Sequence, residues 1–176
     1  MKTEITSSAN GRVNLLGEHL DYNGGSVLPL QIDRYVKIFL SDNNIDQKII
    51  IESKQYNEKI IIDQNFLKQN NWSDFVVGTC KIISDKFSLK ISNLHFEIDS
   101  DLPIGIGLSS SAAITVCTLK VLIKKYNIKI SNEELVSLAL KVERDFVNVG
   151  GGIMDQFTSI YGSTSEILYL DTATND

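Results

Sequence analysis

The sequence PIGIGLSSSAA, residues 103–113, is the most informative stretch of the chain. Gly105 and Gly107 remove side chains from a turn, and the apolar residues that follow predict a strong helix over residues 111–126. Such a turn leaves backbone N–H groups open to a ligand, and the helix N-terminus adds partial positive charge. The pattern suits a phosphate group, although an ordinary strand-to-helix turn with serine caps has the same pattern. The GK[ST] ending of a Walker A loop and the HRD and DFG motifs of protein kinases are absent.

Strand patterns dominate the chain before this turn, and helical patterns dominate it afterwards. Alternation predicts strands over residues 3–8, 27–32, 35–41, 48–52, 59–63, 90–99 and 166–171, with residues 55–57 joining a hairpin. Helical spacing predicts helices over residues 73–86 (capped by Asn71 or Ser73), 111–126, 152–161, and from a Ser131–Glu134 capping box to about Phe146. This order is typical of an α+β fold, and we expect one domain over residues 1–176.

Composition excludes several classes of protein. The 176 residues are 43% hydrophobic and 22% charged. The net charge of −5 argues against a protein that binds nucleic acid through an overall positive charge. No apolar run reaches the ~18 residues of a membrane span, and the N-terminus lacks a signal-peptide pattern. Cys80 and Cys117 lie in apolar surroundings and form no CxxC pattern. We therefore expect a soluble, cytoplasmic domain with neither nucleic-acid nor membrane partners.

A second motif, GRVNLLGEHLDYNGG, occupies residues 11–25. Arg12, Glu18, His19 and Asp21 place four hydrogen-bonding side chains within ten residues. Such side chains suit a polyhydroxylated ligand, because sugar hydroxyls both donate and accept hydrogen bonds. A metal site is a weaker interpretation, because only one histidine is present. The third interpretation is a polar loop with a local salt bridge and no ligand.

The third motif, GGGIMDQF at residues 150–157, places Asp155 in the first turn of a short helix. The helix dipole would keep this carboxylate ionised, as a proton acceptor requires, but many first-turn acids serve the dipole alone. Upstream, Glu143 shares a helix face with apolar residues such as Val136 and Ala139. An acid on an apolar helix face needs a partner, often a cation, unless it lies at the edge of that face and reaches solvent.

Together these segments resemble the galactokinase branch of the GHMP small-molecule kinases. Residues 11–25 resemble the signature of that branch, residues 103–113 the phosphate-binding loop of the superfamily, and residues 150–157 the segment that holds the galactokinase catalytic aspartate. WSDFVVG, residues 72–78, is a weaker match to the family pattern Trp-x-x-Tyr-Val-x-Gly at a helix start. The resemblance spans residues 9–171 in the family's order.

The resemblance implies a fold and an activity. The fold would be the α+β GHMP kinase N-terminal domain, of the ribosomal protein S5 domain 2-like type, without the ferredoxin-like C-terminal half of the family. The activity would be ATP-dependent, Mg²⁺-assisted phosphorylation of the C1 hydroxyl of galactose, a step of galactose metabolism. The chain would then be the N-terminal half of a galactokinase, and we expect it to expose an apolar face and to self-associate.

The resemblance also implies roles for individual residues. Asp155 would accept the proton of the sugar hydroxyl, and Arg12 would pair with Asp155 and steady the transferred phosphoryl group. The sugar would contact Arg12, Glu18, His19, Asp21, Gly152 and Asp155. Ser111 and Glu143 would hold Mg²⁺, and Trp72 would lie near the adenine. The ATP phosphates would lie on Gly105, Ile106, Gly107, Leu108, Ser109, Ser110, Ser111, Ala112 and Ala113.

Departures from the family pattern leave the substrate range open. Asn10 stands where the family usually has proline, Leu20 where it has threonine, and Gly150 and Gly151 where it has a Pro-Cys pair. One alternative is another GHMP sugar kinase, such as an N-acetylgalactosamine kinase. The other is a non-catalytic sensor of galactose and ATP, but such sensors carry a damaged serine–alanine loop, whereas SSSAA is intact here.

Overall fold

A computed structural model describes residues 4–174 of the chain. A five-stranded sheet in the order β1-β3-β6-β4-β5 forms its centre, and all neighbours are antiparallel except β4 and β6. The strands of that sheet are β1 (Ile5–Asn14), β3 (Pro29–Asp42), β4 (Lys48–Ser53), β5 (Glu58–Asp63) and β6 (Leu94–Ser100). A two-stranded sheet pairs β2 (Ser26–Val27) with β7 (Leu170–Asp171). The α+β expectation is confirmed.

The first strand is longer than its sequence pattern predicts. Of the predicted strand 3–8, residue 3 lies outside the described residues, and β1 continues to Asn14, well into the glycine-bracketed motif. The register of β1 against β3 shifts between Asn10 and Arg12, where Gly11 of β1 lies opposite residues 32–34 of β3. The extra residues belong to β3, which runs continuously through most of the two strands predicted at 27–32 and 35–41, while Val27 pairs in β2. Asn10 lies directly before this register shift.

Two other predicted strands are too long. Residues 90–93 precede β6 as irregular chain, although Ile91 is buried, and Asn93 has a left-handed backbone at φ 59°. Of the strand predicted at 166–171, only Leu170–Asp171 pairs with a neighbour. Burial explains the first difference, because an apolar pattern reports burial and not pairing. It does not explain the second, since Ile167 and Tyr169 are exposed. The predicted β4–β5 hairpin is confirmed.

The helices are α1 (Asp74–Phe87), α2 (Ser110–Tyr126), α3 (Asn132–Lys141) and α4 (Met154–Tyr161). The helix predicted to reach Phe146 changes at Lys141 into a π-helical segment, Val142–Val147. Ser131 caps α3 by accepting the Glu134 N–H at 3.2 Å, as predicted. Ser73 precedes α1, but no side-chain cap from Ser73 is present within residues 4–174.

The main core lies between the sheet and the helices. Ile38, Leu40, Ile51 and Phe96 are each at most 1% exposed on the helix-facing side of the sheet. Helix α2 crosses this face, with ten of its residues buried, and it contacts β1, β3, α1, α3 and α4. Within the described range, no helix is long and apolar enough to cross a bilayer. The core thus fixes α2 and, through it, the two loops that precede α2 and α4.

Candidate active site

The site is built around an ion pair between Arg12 of β1 and Asp155 of α4. Arg12 Nε donates to Asp155 Oδ1 at 2.7 Å, and the second contact, from Nη2, measures 2.5 Å. The side chains are only 14% and 25% exposed, so solvent screens this pair less than an ordinary surface pair. The pair joins two motifs that are 143 residues apart in the sequence.

The phosphate-type loop, residues 103–109, lies against the same arginine. Arg12 Nη1 donates to the Gly107 carbonyl at 2.8 Å, and the Arg12 backbone N–H donates to the Leu108 carbonyl at 3.2 Å. Gly105 and Gly107 have φ of 74° and 76° with open space around them, so their backbone conformation and not crowding requires glycine. Helix α2 starts directly after this loop, with no acid in its first turn. Its first N–H groups are therefore available to an anion.

Gly11 allows β1 to approach this loop. A side-chain carbon at Gly11 would lie 2.7 Å from the Leu108 carbonyl oxygen and would overlap the Leu102 side chain. The absence of a side chain at Gly11 thus lets Arg12 reach the loop.

Ser109, at the end of the loop, contacts the same carboxylate. Its hydroxyl donates to Asp155 Oδ2 at 2.6 Å, while Arg12 holds Oδ1. Sequence reasoning missed this contact, because it depends on a left-handed backbone at Ser109 that no sequence pattern encodes.

Glu143 is buried near Asp155 with an incomplete set of partners. It lies in the π-helical segment, is 8% exposed, and its Oε1 has no hydrogen-bond partner among residues 4–174. Burial raises the pKa of Glu143 to about 7, and the nearby Asp155 charge adds to the rise. Gln156, 1% exposed, also has an oxygen with no partner in the described structure, and it hydrogen-bonds to Glu143. Two orphaned oxygens beside the site are the kind of feature that a bound cation resolves.

Asp21 closes the site from the other side by capping α4. Its Oδ1 accepts the Met154 N–H at 3.0 Å, one residue before Asp155. A side chain at Gly152 would overlap the Asp21 carboxylate, so this close approach requires glycine there. Burial raises the pKa of Asp21, and the hydrogen bond from Met154 partly offsets the rise. Asp21 and Gly152 line a cleft of about 230 Å³ together with Tyr22, Arg144 and Gly151.

Other residues singled out from the sequence lie outside this contact network. Glu18 and His19 are exposed; His19 Nδ1 lies 2.5 Å from the Tyr22 hydroxyl. Trp72 stacks on Tyr56 with ring centroids 5.1 Å apart, and its Nε1 donates to Glu58 Oε2 at 2.7 Å. Ser111 occupies the first turn of α2 and is half-buried. The structure thus joins Arg12, Asp21, Gly107, Ser109 and Asp155 in one network of bonded segments, with Glu143 beside it.

Known families match both halves of this arrangement. The GHMP kinases N terminal domain matches residues 74–163, and the galactokinase galactose-binding signature matches residues 1–42. A galactokinase of Thermosipho africanus is 40% identical over 168 residues, which are 96% of this chain and 46% of that protein. A galactokinase of Pyrococcus furiosus is 39% identical over 173 residues, 98% of this chain and 48% of that protein. The chain thus spans about half the length of the curated relatives it matches.

Solved structures agree with the family match. The crystal structure of Lactococcus lactis galactokinase complexed with galactose superposes with a TM-score of 0.89 at 30% identity, covering 98% of this chain and 46% of that one. The mevalonate kinase of Methanococcus jannaschii shares the fold, with a TM-score of 0.84 at 24% identity and coverage of 97% and 54%. The chain therefore belongs to the GHMP kinase family and carries the galactose-binding signature of its galactokinases.

Proposed function

We propose that the protein transfers the terminal phosphoryl group of ATP to the C1 hydroxyl of galactose. The observation that carries this proposal is the Arg12–Asp155 ion pair, which Arg12 also ties to the loop at Gly107. A base and a cation are thereby fixed at the end of a loop built for phosphate. This is the arrangement that phosphoryl transfer needs, because its catalysis depends on positioning and electrostatic stabilisation.

The chemistry follows from the charges of the pair. The Asp155 carboxylate accepts the proton of the C1 hydroxyl, and the sugar oxygen then attacks the terminal phosphorus of ATP while ADP leaves. An anomeric hydroxyl is more acidic than an ordinary alcohol, so a carboxylate suffices as its base. Arg12 holds Asp155 in place and steadies the charge of the transferred group.

The nucleotide side of the site rests on the loop and on Glu143. Backbone N–H groups between Gly105 and Ala113 would hold the ATP phosphates, and Trp72 would lie near the adenine. Ser111 and Glu143 would hold Mg²⁺; the buried Glu143 Oε1, which has no hydrogen-bond partner in the described part of the chain, fits a cation ligand. When bound, the metal ion would neutralise charge on the phosphate oxygens. Glu143 would then stay ionised in spite of its burial.

The sugar side rests on the cleft beside α4. Asp21 and Gly152 line it, and Glu18 and His19 belong to the same signature segment. The Lactococcus lactis relative was crystallised with galactose, which supports galactose as the sugar. Asp21 would then both cap α4 and contact a sugar hydroxyl through its second oxygen.

The direct test is sugar-dependent ADP release by the chain with Mg-ATP. We expect release with galactose, and a fall of ~100-fold or more in Asp155→Asn, because the amide cannot accept the proton. A panel with N-acetylgalactosamine and glucose tests the substrate range. Release that needs no sugar, that prefers another sugar, or that survives Asp155→Asn would contradict the proposal, as would silence of the unsubstituted chain.

A further inference from the structure

We propose that the hydroxyl of Ser109 positions the Asp155 carboxylate and does not act as a ligand of the nucleotide phosphates. The proposal rests on the proposed role of Asp155 as the base. Ser109 sits in a phosphate-type loop, so its hydroxyl would ordinarily be assigned to phosphate. The structure instead directs this hydroxyl to Asp155 Oδ2 at 2.6 Å.

Ser109 has a backbone conformation that is unusual for a residue with a side chain. Ser109 has φ 58° and ψ 40°, a left-handed conformation that favours glycine. Gly105 and Gly107 adopt positive φ in the same loop as glycines. A serine at this position carries a cost that a glycine would avoid, and a hydrogen bond of its hydroxyl can offset that cost. Its one hydrogen bond within residues 4–174 is the bond to Asp155.

The hydrogen bond from Ser109 gives the second oxygen of the Asp155 carboxylate a partner. Arg12 of β1 fixes Oδ1, Ser109 of the loop fixes Oδ2, and α4 fixes the backbone of Asp155. A carboxylate held at both oxygens cannot rotate about its terminal torsion. Each oxygen has a second acceptor direction, so Oδ2 can still receive a sugar hydroxyl. Ser109 therefore selects the direction in which the base faces its substrate.

The bond to Asp155 also uses the only hydrogen that the Ser109 hydroxyl can donate. A serine hydroxyl has one O–H donor, and Ser109 donates it to Asp155. It is then unable to donate to a phosphate oxygen at the same time. Loss of the hydroxyl should therefore affect turnover and leave nucleotide binding nearly unchanged.

The first test separates these effects in steady-state kinetics of galactose-dependent ADP release. We expect Ser109→Ala and Ser109→Gly to lower kcat about tenfold or more, with the KM for ATP within about twofold of the unsubstituted chain. The two variants should behave alike in kcat, because both lack the hydroxyl and only glycine relieves the backbone. An increase in the KM for ATP with unchanged kcat would overturn the proposal in favour of a phosphate-binding hydroxyl.

A second test needs no activity. In thermal unfolding of Ser109→Ala, Asp155→Ala and the double variant, the losses in Tm should fail to add by about 3 °C, because either single change already breaks the bond. Ser88 is the matched control for the backbone: it has φ 52° and ψ 41°, and its side chain makes no hydrogen bond within the described chain. Ser88→Gly should raise the Tm more than Ser109→Gly does.

The two tests fail separately. Additive Tm losses, or equal gains from Ser88→Gly and Ser109→Gly, would overturn the Ser109 contact whatever the activity. If the unsubstituted chain releases no ADP, the proposed function of this polypeptide fails, and the Tm cycle alone still supports or overturns the Ser109–Asp155 link.

Discussion

At the residue scale, Glu143 links stability to pH. Its folded-state pKa of about 7 lies above the ordinary 4.5, so the folded chain binds the proton more tightly than the unfolded chain does. The resulting stabilisation is full below pH 4.5 and is lost as the pH rises to about 7. The shift corresponds to at most about 3 kcal/mol. A cation bound at Glu143 would reverse this loss of stability.

We therefore predict that Glu143→Gln stabilises the metal-free chain at high pH. The amide is a neutral isostere, so the gain in free energy of unfolding should approach ~3 kcal/mol at pH 8 and vanish near pH 4.5. Urea unfolding in EDTA at both pH values measures it. A gain that is the same at both pH values would show that the carboxylate charge is not the cause.

Gly11 is the second prediction at this scale. Gly11→Ala places a carbon against the Leu108 carbonyl of the loop, and overpacking of this kind costs about 1–3 kcal/mol. Gly150→Ala is the control, because space is open around Gly150 and its φ is not positive. Urea unfolding should show the loss for Gly11→Ala and no loss for Gly150→Ala. Equal behaviour of the two would mean that β1 does not need its close approach to the loop.

At the element scale, α4 depends on a side chain from a distant loop. The residue before it, Ile153, has an apolar side chain that cannot cap a helix, and Asp21 supplies a cap by accepting the Met154 N–H. We predict that Asp21→Ala lowers the free energy of unfolding by ~1 kcal/mol, as loss of an N-cap does. Asp21→Asn keeps an acceptor oxygen and should lose much less. Similar losses in both variants would assign the effect to the charge of Asp21 and not to the cap.

The sequence predicted the elements better than it predicted their ends. Strand-type apolar runs and helical spacing located β4, β5, α1 and α2 within about two residues. The register shift opposite Gly11 and the π-helical turn at Glu143 were missed, since both are set by tertiary contacts and not by local pattern.

For the site, the resemblance implied that Arg12 pairs with Asp155, and the structure shows this ion pair. The sequence did not show the contacts that complete the site around this pair. The hydrogen bond of Ser109 depends on a backbone angle, and the burial of Gln156 depends on packing of α4 between neighbouring elements. Neither the backbone angle of Ser109 nor the burial of Gln156 can be predicted from the spacing of residues in the sequence. The sugar contacts of Glu18 and His19 and the adenine contact of Trp72 stay predictions.

At the scale of the whole molecule, one edge of the central sheet is protected and one surface is not. β1 is an edge strand, but Lys124 Nζ donates to its Thr6 carbonyl at 2.8 Å and Lys120 Nζ approaches the Ser8 carbonyl at 3.5 Å. Lysines at an edge oppose pairing with another chain. The unprotected surface lies where backbone hydrogen bonds bring residues 15–16, 28–29 and 168 side by side. Large apolar side chains are exposed along it: Leu15 49%, Leu16 64%, Ile167 57% and Tyr169 63%.

We predict that this apolar surface makes the chain self-associate in a concentration-dependent way, because contiguous exposed patches of this kind mark interaction surfaces. Light scattering should give a mass that rises above 19.6 kDa with concentration. Leu16→Lys together with Ile167→Lys should return it to the monomer mass. Ile61→Lys is the control, since Ile61 is 51% exposed but lies on β5 in the central sheet, and it should not change the association. Monomer mass for the unsubstituted chain at all concentrations would contradict the prediction, and dissociation by Ile61→Lys alone would move the contact to the β5 edge.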